Sequence, residues 1–155
     1  MHMKYVIFWF TLFVTLNAVS TEELSGNWSA YRETTNNGAV TIEKEYLHLN
    51  ANNTFSIQLF VSVEKGEAFI KDLRIEGSGI WKTRDNSLAI YIQKVEVPFA
   101  KEIYLISQES LRNLANNFKH KYESEPLKLI HIKSFTDTQL VTSNESLIET
   151  VYTRQ

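Results

Sequence analysis

Hydrophobic and polar residues alternate along most of this chain, and alternation with a period of two is typical of β-strands that have one buried face. The clearest stretch begins at Phe55 and ends at Val63, and every second residue in it is apolar. Segments rich in Asn, Gly and Asp separate such runs and predict tight turns. The pattern predicts strands at roughly residues 27–33, 41–49, 54–63, 67–83, 87–97, 102–106, 127–135, 138–142 and 146–154.

One segment has the periodicity of an amphipathic helix instead. Ser107 is a suitable N-cap for it, and Pro126 prevents the helix from continuing. We therefore predict one helix over about residues 108–122. Its apolar residues recur three or four positions apart and fall on one helix face: Leu111, Leu114, Ala115, Phe118 and Tyr122.

The number and spacing of the strands predict an all-β fold, an up-and-down antiparallel β-barrel of about eight strands. The longest predicted strand contains Gly77 and Gly79, and glycine inside a strand usually marks a bulge or a bend. Such a bend would let the strand coil around a closing barrel. It would also turn Trp81 towards the barrel interior.

The first residues differ from the rest of the chain. A short basic start ends at Lys4 and precedes an apolar run over residues 5–16, which is too short to span a bilayer comfortably. Small residues follow up to Ser20, as signal peptidases require. We predict that residues 1–20 are a cleaved secretory signal and that residues 21–155 form one domain. The alternative is an uncleaved membrane anchor.

Composition refines the expected location and partners. The chain contains no cysteine, so lipid attachment at a cysteine after the signal is excluded and no disulfide supports the domain. This favours a bacterial protein that is secreted or periplasmic. The formal net charge of −2 gives no argument for a nucleic-acid or anionic membrane partner. We expect no nucleic-acid partner and no stable membrane insertion once the signal is removed.

Two short motifs lie at the ends of the predicted domain. Gly26 and Trp28 form a G-x-W motif in the first strand, and Arg154 ends the last strand. The pair resembles the lipocalin and wider calycin families, whose first strand opens with G-x-W and whose last strand supplies an arginine that closes over the tryptophan. The resemblance implies a structural clamp made by Gly26, Trp28 and Arg154; the alternative is a pocket floor that touches ligand. The T-D-Y turn motif of typical lipocalins is absent.

The resemblance also implies a non-catalytic protein that binds a small hydrophobic molecule inside the barrel. The alternative is an interior filled by its own side chains, because an eight-stranded barrel is only just wide enough for them. The protein would then be a protein-interaction module or a secreted enzyme inhibitor, with the outward-facing Phe60 as a candidate contact; a small barrel enzyme is a further alternative. The interior residues expected to contact ligand are Phe55, Leu59, Phe69, Trp81 and Ile90.

Candidate catalytic and metal-ligating residues form no recognisable constellation in the sequence. His48 and His131 each lie between two apolar residues, so they should point away from the apolar face, and the histidines lack metal-ligand spacing. Glu43 and Glu45 share one face of a strand, which we interpret as solvent-exposed. We therefore predict no catalytic residue, no bound metal and no cofactor.

Overall fold

The computed structural model describes residues 18–97 and 100–155, so the predicted signal lies outside the described residues except for its last three positions. The described residues form nine strands and two helices. The predicted amphipathic helix is present and is slightly longer than expected. The elements are α1 (Thr21–Leu24), β1 (Gly26–Asn36), β2 (Ala39–Leu49), β3 (Thr54–Lys65), β4 (Ala68–Arg84), β5 (Ser87–Glu96), β6 (Glu102–Tyr104), α2 (Gln108–Ser124), β7 (Leu127–Phe135), β8 (Gln139–Ser143) and β9 (Glu149–Arg154).

The strands close into an antiparallel barrel, which confirms the predicted fold class. Eight strands pair in the ring order β1-β2-β3-β4-β5-β7-β8-β9, and β9 returns to pair with β1. At this closure Trp28 lies directly opposite Arg154. Strand β6 pairs with the first part of β4 and stands outside the ring. Since neighbours in the ring follow chain order apart from β6 and α2, the barrel is up-and-down.

The bend predicted in β4 lies where its glycines approach neighbouring strands. The pairing of β4 with β5 shifts register between Ser78 and Gly79. A Cβ atom on Gly79 would clash with the carbonyl oxygen of Tyr91, and one on Gly77 would lie 2.9 Å from the Ile57 side chain. Only glycine therefore lets the strands approach this closely.

A second irregularity in β4, at Asp72, was not predicted. Asp72 has a φ of +51°, and the register with β3 shifts between Val61 and Val63. The bulge adds one residue to β4, so the side chains on its N-terminal side point to the opposite faces from those that uninterrupted alternation predicts. Ile70 is therefore buried, and Phe69 lies on the outer face, where its ring stacks on Tyr104 of β6 with centroids 5.7 Å apart. The expectation that Phe69 lines the interior is corrected accordingly.

The barrel has two differently built ends. At the closed end, the β2–β3, β4–β5 and β7–β8 turns meet α1 and the C-terminal strand. At the covered end, α2 lies across the mouth of the barrel. Its apolar residues pack on the interior side chains nearest that end: Leu111, Leu114, Phe118 and Tyr122. The closed-end cluster comprises Leu24, Trp28, Leu47, Leu49, Phe55, Trp81, Leu88, Ile90, Ile132, Leu140 and Tyr152. The covered-end cluster comprises Leu59, Val61, Ile70, Leu73, Ile75 and Val95.

Helix α1 is short and was not predicted. Ser20 caps it: the Ser20 hydroxyl accepts a hydrogen bond from the backbone of Glu23 at 3.2 Å, and the Glu23 carboxylate accepts one from the backbone of Ser20 at 2.8 Å. This reciprocal pair is a capping box. The helix ends at Leu24, which is fully buried and plugs the closed end of the barrel.

Candidate functional site

A cavity of about 400 Å³ lies inside the barrel between the closed end and helix α2. Exposed residues at its rim, Lys121, Glu125 and Glu145, place its opening between the last turn of α2 and the β8–β9 loop. The walls are mainly apolar because they are the inward faces of β3, β4, β5 and β7. The apolar wall residues include Phe55, Ile57, Leu59, Ile75, Ile90, Ile92, Val95 and Ile130.

Three of the predicted ligand-contacting residues, Phe55, Leu59 and Ile90, line this cavity. Trp81 does not. It is buried in the closed-end cluster, where its Nε1 donates a hydrogen bond to the Asn50 carbonyl at 2.9 Å. Trp81 therefore anchors the β2–β3 turn beneath the cavity.

A polar pair, the partly buried Glu45 and the buried Tyr152, interrupts the apolar wall. Glu45 points inward because it is in phase with Leu47 and Leu49 on β2. The Tyr152 hydroxyl on β9 donates a hydrogen bond to Glu45 Oε1 at 2.7 Å. The interpretation of the Glu43 and Glu45 face as solvent-exposed is therefore corrected: that face is the barrel interior.

A second polar layer lies nearer the covered end. Arg32 and Glu43 are opposite each other in the β1–β2 register, and Arg32 Nη1 lies 3.7 Å from Glu43 Oε2. Arg32 Nη2 also donates a hydrogen bond to the Thr150 hydroxyl at 2.8 Å. Both Arg32 and Glu43 are partly exposed, so water screens this ion pair more than it screens the Glu45–Tyr152 hydrogen bond.

The enclosure of this cluster shifts the acidity of three side chains. Burial raises the pKa of Glu45 above its ordinary value, although the hydrogen bond from Tyr152 and the charge of Arg32 oppose the shift. Burial, and then the nearby charge of Glu45, raises the pKa of Tyr122 on α2 to about 12. The same two causes hold the pKa of Tyr152 well above its usual range. Both tyrosines therefore stay protonated at neutral pH.

The residues proposed as a clamp meet at the closed end. The guanidinium carbon of Arg154 lies 4.2 Å from the centroid of the Trp28 ring. A Cβ atom on Gly26, whose φ is +133°, would lie 2.7 Å from Arg154 Nη1. Arg154 donates hydrogen bonds to the carbonyls of Ser25, Glu23 and Asp137 at 2.7, 2.6 and 2.7 Å. These contacts join α1, β1, β9 and the β7–β8 turn, and they lie outside the interior cavity.

The outer surface carries a larger but different depression. About 630 Å³ of space lies over the outer faces of β2, β3 and β4, and polar side chains such as His48, Ser56 and Ser78 border it. His48 contacts the Asn27 side chain there, and both His48 and His131 are exposed on the outer face. We favour the interior cavity as the site because it combines apolar walls with a polar pair, as small-molecule sites do.

Two negative findings apply to the described residues only. Within residues 18–97 and 100–155, no group of three or more His, Asp or Glu side chains is arranged to hold a metal ion. In the same part of the chain, neither helix combines the length and the hydrophobicity needed to cross a membrane.

Comparison with known proteins identifies no family for this chain, so its class is defined by its fold and its cavity. No protein-family model matches the chain, and no curated protein is significantly similar to it. What the structure defines is a class: an antiparallel eight-stranded β-barrel with an interior cavity beneath a helix.

Proposed function

We propose that this protein binds a small hydrophobic molecule inside a lipocalin-like barrel and catalyses no reaction on it. The observation that carries the proposal is the cavity of about 400 Å³, whose apolar walls include Phe55, Leu59 and Ile90. This volume falls within the range of roughly 300–1,000 Å³ typical of small-molecule sites. A few polar groups among apolar walls are what such sites use to orient a ligand.

Two features support the lipocalin-like assignment. The barrel closes through eight antiparallel strands, and the G-x-W motif of the first strand meets the arginine of the last one. The stacking of Arg154 on Trp28 is the arrangement that the family resemblance implies. We propose further that the protein acts outside the cytoplasm, as a secreted or periplasmic protein, because residues 1–20 have the pattern of a cleaved signal.

The test is binding of the neutral fluorescent probe N-phenyl-1-naphthylamine, with 1-dodecanol as a non-fluorescent competitor. We expect saturable binding of the probe, displacement by dodecanol, and a melting temperature that rises with dodecanol concentration. Leu59→Arg should abolish binding, because the longer side chain would occupy the cavity and would pair with Glu45, which lies opposite it in the β2–β3 register.

The matched control is Ile80→Arg, which adds the same charge at an exposed position on the outer face of β4. It should leave binding unchanged. Both variants must retain the β-sheet circular dichroism of the parent. If the folded parent protein binds neither the probe nor dodecanol, the ligand-binding proposal is wrong.

A second candidate function rests on the outer surface. Ile80, Tyr91 and Leu127 lie side by side on β4, β5 and β7, and each is about half exposed, as is Leu129 two residues along β7. Contiguous exposed apolar side chains commonly mark protein-binding surfaces. If the cavity binds no ligand, an interaction module or secreted inhibitor that uses this face becomes the better proposal.

A further inference from the structure

The carboxylate of Glu45 is the feature of the cavity that is informative about the ligand. The other charged residues that line the cavity are Lys121, Glu125 and Glu145 at its rim and Lys128 on the inward side of β7, opposite Ile90, where Lys128 Nζ lies 3.6 Å from a Glu125 carboxylate oxygen. Two of them are basic and two acidic, so their charges balance. Lys128 and Glu125 compensate each other, so within the described residues Glu45 is the inward-facing charge of the cavity that has no ion-pair partner.

Glu45 has unused capacity to accept hydrogen bonds. Tyr152 donates to its Oε1, and no other group in the described part of the chain donates to the carboxylate. Arg32, whose charge acts on Glu45, donates its hydrogen bond to Thr150 and pairs with Glu43. Because Glu45 lines the cavity and keeps some accessible surface, Oε2 is available to a bound molecule.

The hydrogen-bond directions in this cluster favour a donor over an acceptor. The Tyr152 proton is used by Glu45, so the Tyr152 oxygen can only accept a further hydrogen bond. Thr142, which also lines the cavity, donates its proton to the Thr150 carbonyl at 3.4 Å. A ligand group beside Glu45 thus meets acceptor atoms and a negative charge.

We propose that the cavity selects hydrophobic molecules that carry a protonated amine, with Glu45 as the counter-ion and Tyr152 as the residue that orients its carboxylate. This inference rests on the proposed ligand-binding function and adds the chemical class of the ligand. A charged donor on Glu45 would compensate a partly buried carboxylate that otherwise has one hydrogen bond. A fatty acid would instead bring a second carboxylate beside the first.

Three probes of equal chain length separate these cases: dodecylamine, 1-dodecanol and dodecanoate, each below its micelle-forming concentration, in competition with N-phenyl-1-naphthylamine at neutral pH. We expect dodecylamine to bind at least about tenfold more tightly than dodecanol, because both head groups can donate a hydrogen bond to Glu45 but only the ammonium group also pairs with its charge. Dodecanoate should bind most weakly of the three.

Glu45→Gln should bring the affinities for the amine and the alcohol close together and should improve dodecanoate binding. Glu67→Gln, which removes an exposed carboxylate in the β3–β4 turn away from the cavity, should leave the ratio of affinities unchanged. If the folded parent binds dodecanol as tightly as dodecylamine, the amine inference is wrong and the ligand-binding function stands. If none of the three probes binds, both fail.

A pH series on the parent protein tests the same inference without a variant. Four ionisable groups act on Glu45: Arg32 of β1, Glu43 of β2, Tyr152 of β9 and Tyr122 of α2. Of these, the arginine and both tyrosines keep their charge state between neutral and mildly acidic pH. The amine-to-alcohol affinity ratio should fall as Glu45 is protonated on acidification. A ratio that stays constant through this range, or rises, would overturn the inference.

Discussion

Replacing Arg154 by alanine should destabilise the barrel by about 2–5 kcal/mol, because this one side chain joins four elements at the closed end. Its three hydrogen bonds to backbone carbonyls are partly exposed and are worth about 0.5–1 kcal/mol each. Stacking on Trp28 adds roughly 0.5–2 kcal/mol. Arg154→Lys keeps the charge but lacks the planar fork, so it should recover less than half of the loss.

A double-mutant cycle isolates the stacking contact. Combining Arg154→Ala with Trp28→Leu should give a coupling of about 0.5–2 kcal/mol, measured by urea unfolding followed by circular dichroism. Trp28→Leu keeps an apolar side chain but removes the aromatic face. The control cycle pairs Arg154→Ala with Val61→Ala in the covered-end cluster, and these effects should add.

The same variants distinguish a structural clamp from a pocket floor. Because Arg154 lies outside the interior cavity, Arg154→Ala should leave dodecanol affinity unchanged while the protein remains folded. Additive effects of Trp28→Leu and Arg154→Ala would show that the contact contributes no stability. A large loss of ligand affinity in folded Arg154→Ala would show that the closed end is part of the site.

Two further predictions concern the β4 bend and the carboxylate of Glu45. Gly79→Ala should destabilise the protein by about 1–3 kcal/mol in urea unfolding, because the new methyl group clashes with the Tyr91 carbonyl. The neighbouring Ser78→Ala should cost much less. Equal costs for the two variants would refute the close-approach argument. Burial raises the folded-state pKa of Glu45 above its unfolded value, so its favourable contribution is fully present below the unfolded pKa and is lost as pH rises through the folded pKa. The stability of the parent relative to Glu45→Gln should therefore fall as pH rises above the ordinary carboxyl pKa of 4.5, and a rise instead would show that the carboxylate is stabilised by its partners.

Alternation along the sequence was sufficient to predict most of the strands, a helical period predicted α2, and the number and spacing of the strands predicted the barrel. Strands such as β3 bury one face and expose the other, so their period of two is visible without a structure. The glycines of β4 also marked their bend correctly, since glycine weakens a strand interior and is usually found there only at a bulge, a bend or a close backbone approach.

The failures have identifiable physical causes. The bulge at Asp72 contains no glycine, so the sequence carried no signal that the faces exchange there, and Phe69 was placed in the interior. The inward position of Glu45 was not predicted, because charged residues rarely point into a protein interior. Its spacing from Leu47 and Leu49 on β2, two and four residues away, was the signal for that position. Helix α1 is a single turn, too short to show a helical period, although Ser20 and Glu23 have the spacing of a capping box.

The most direct test of the central claim is to locate a bound ligand by nuclear Overhauser effects. With methyl-labelled protein and saturating 1-dodecanol, contacts should appear to the cavity methyl groups of Leu59, Ile75 and Ile90. They should be absent for Ile80, which lies on the outer face of the same barrel. Contacts confined to Ile80 and its exposed neighbours would contradict a ligand-binding interior.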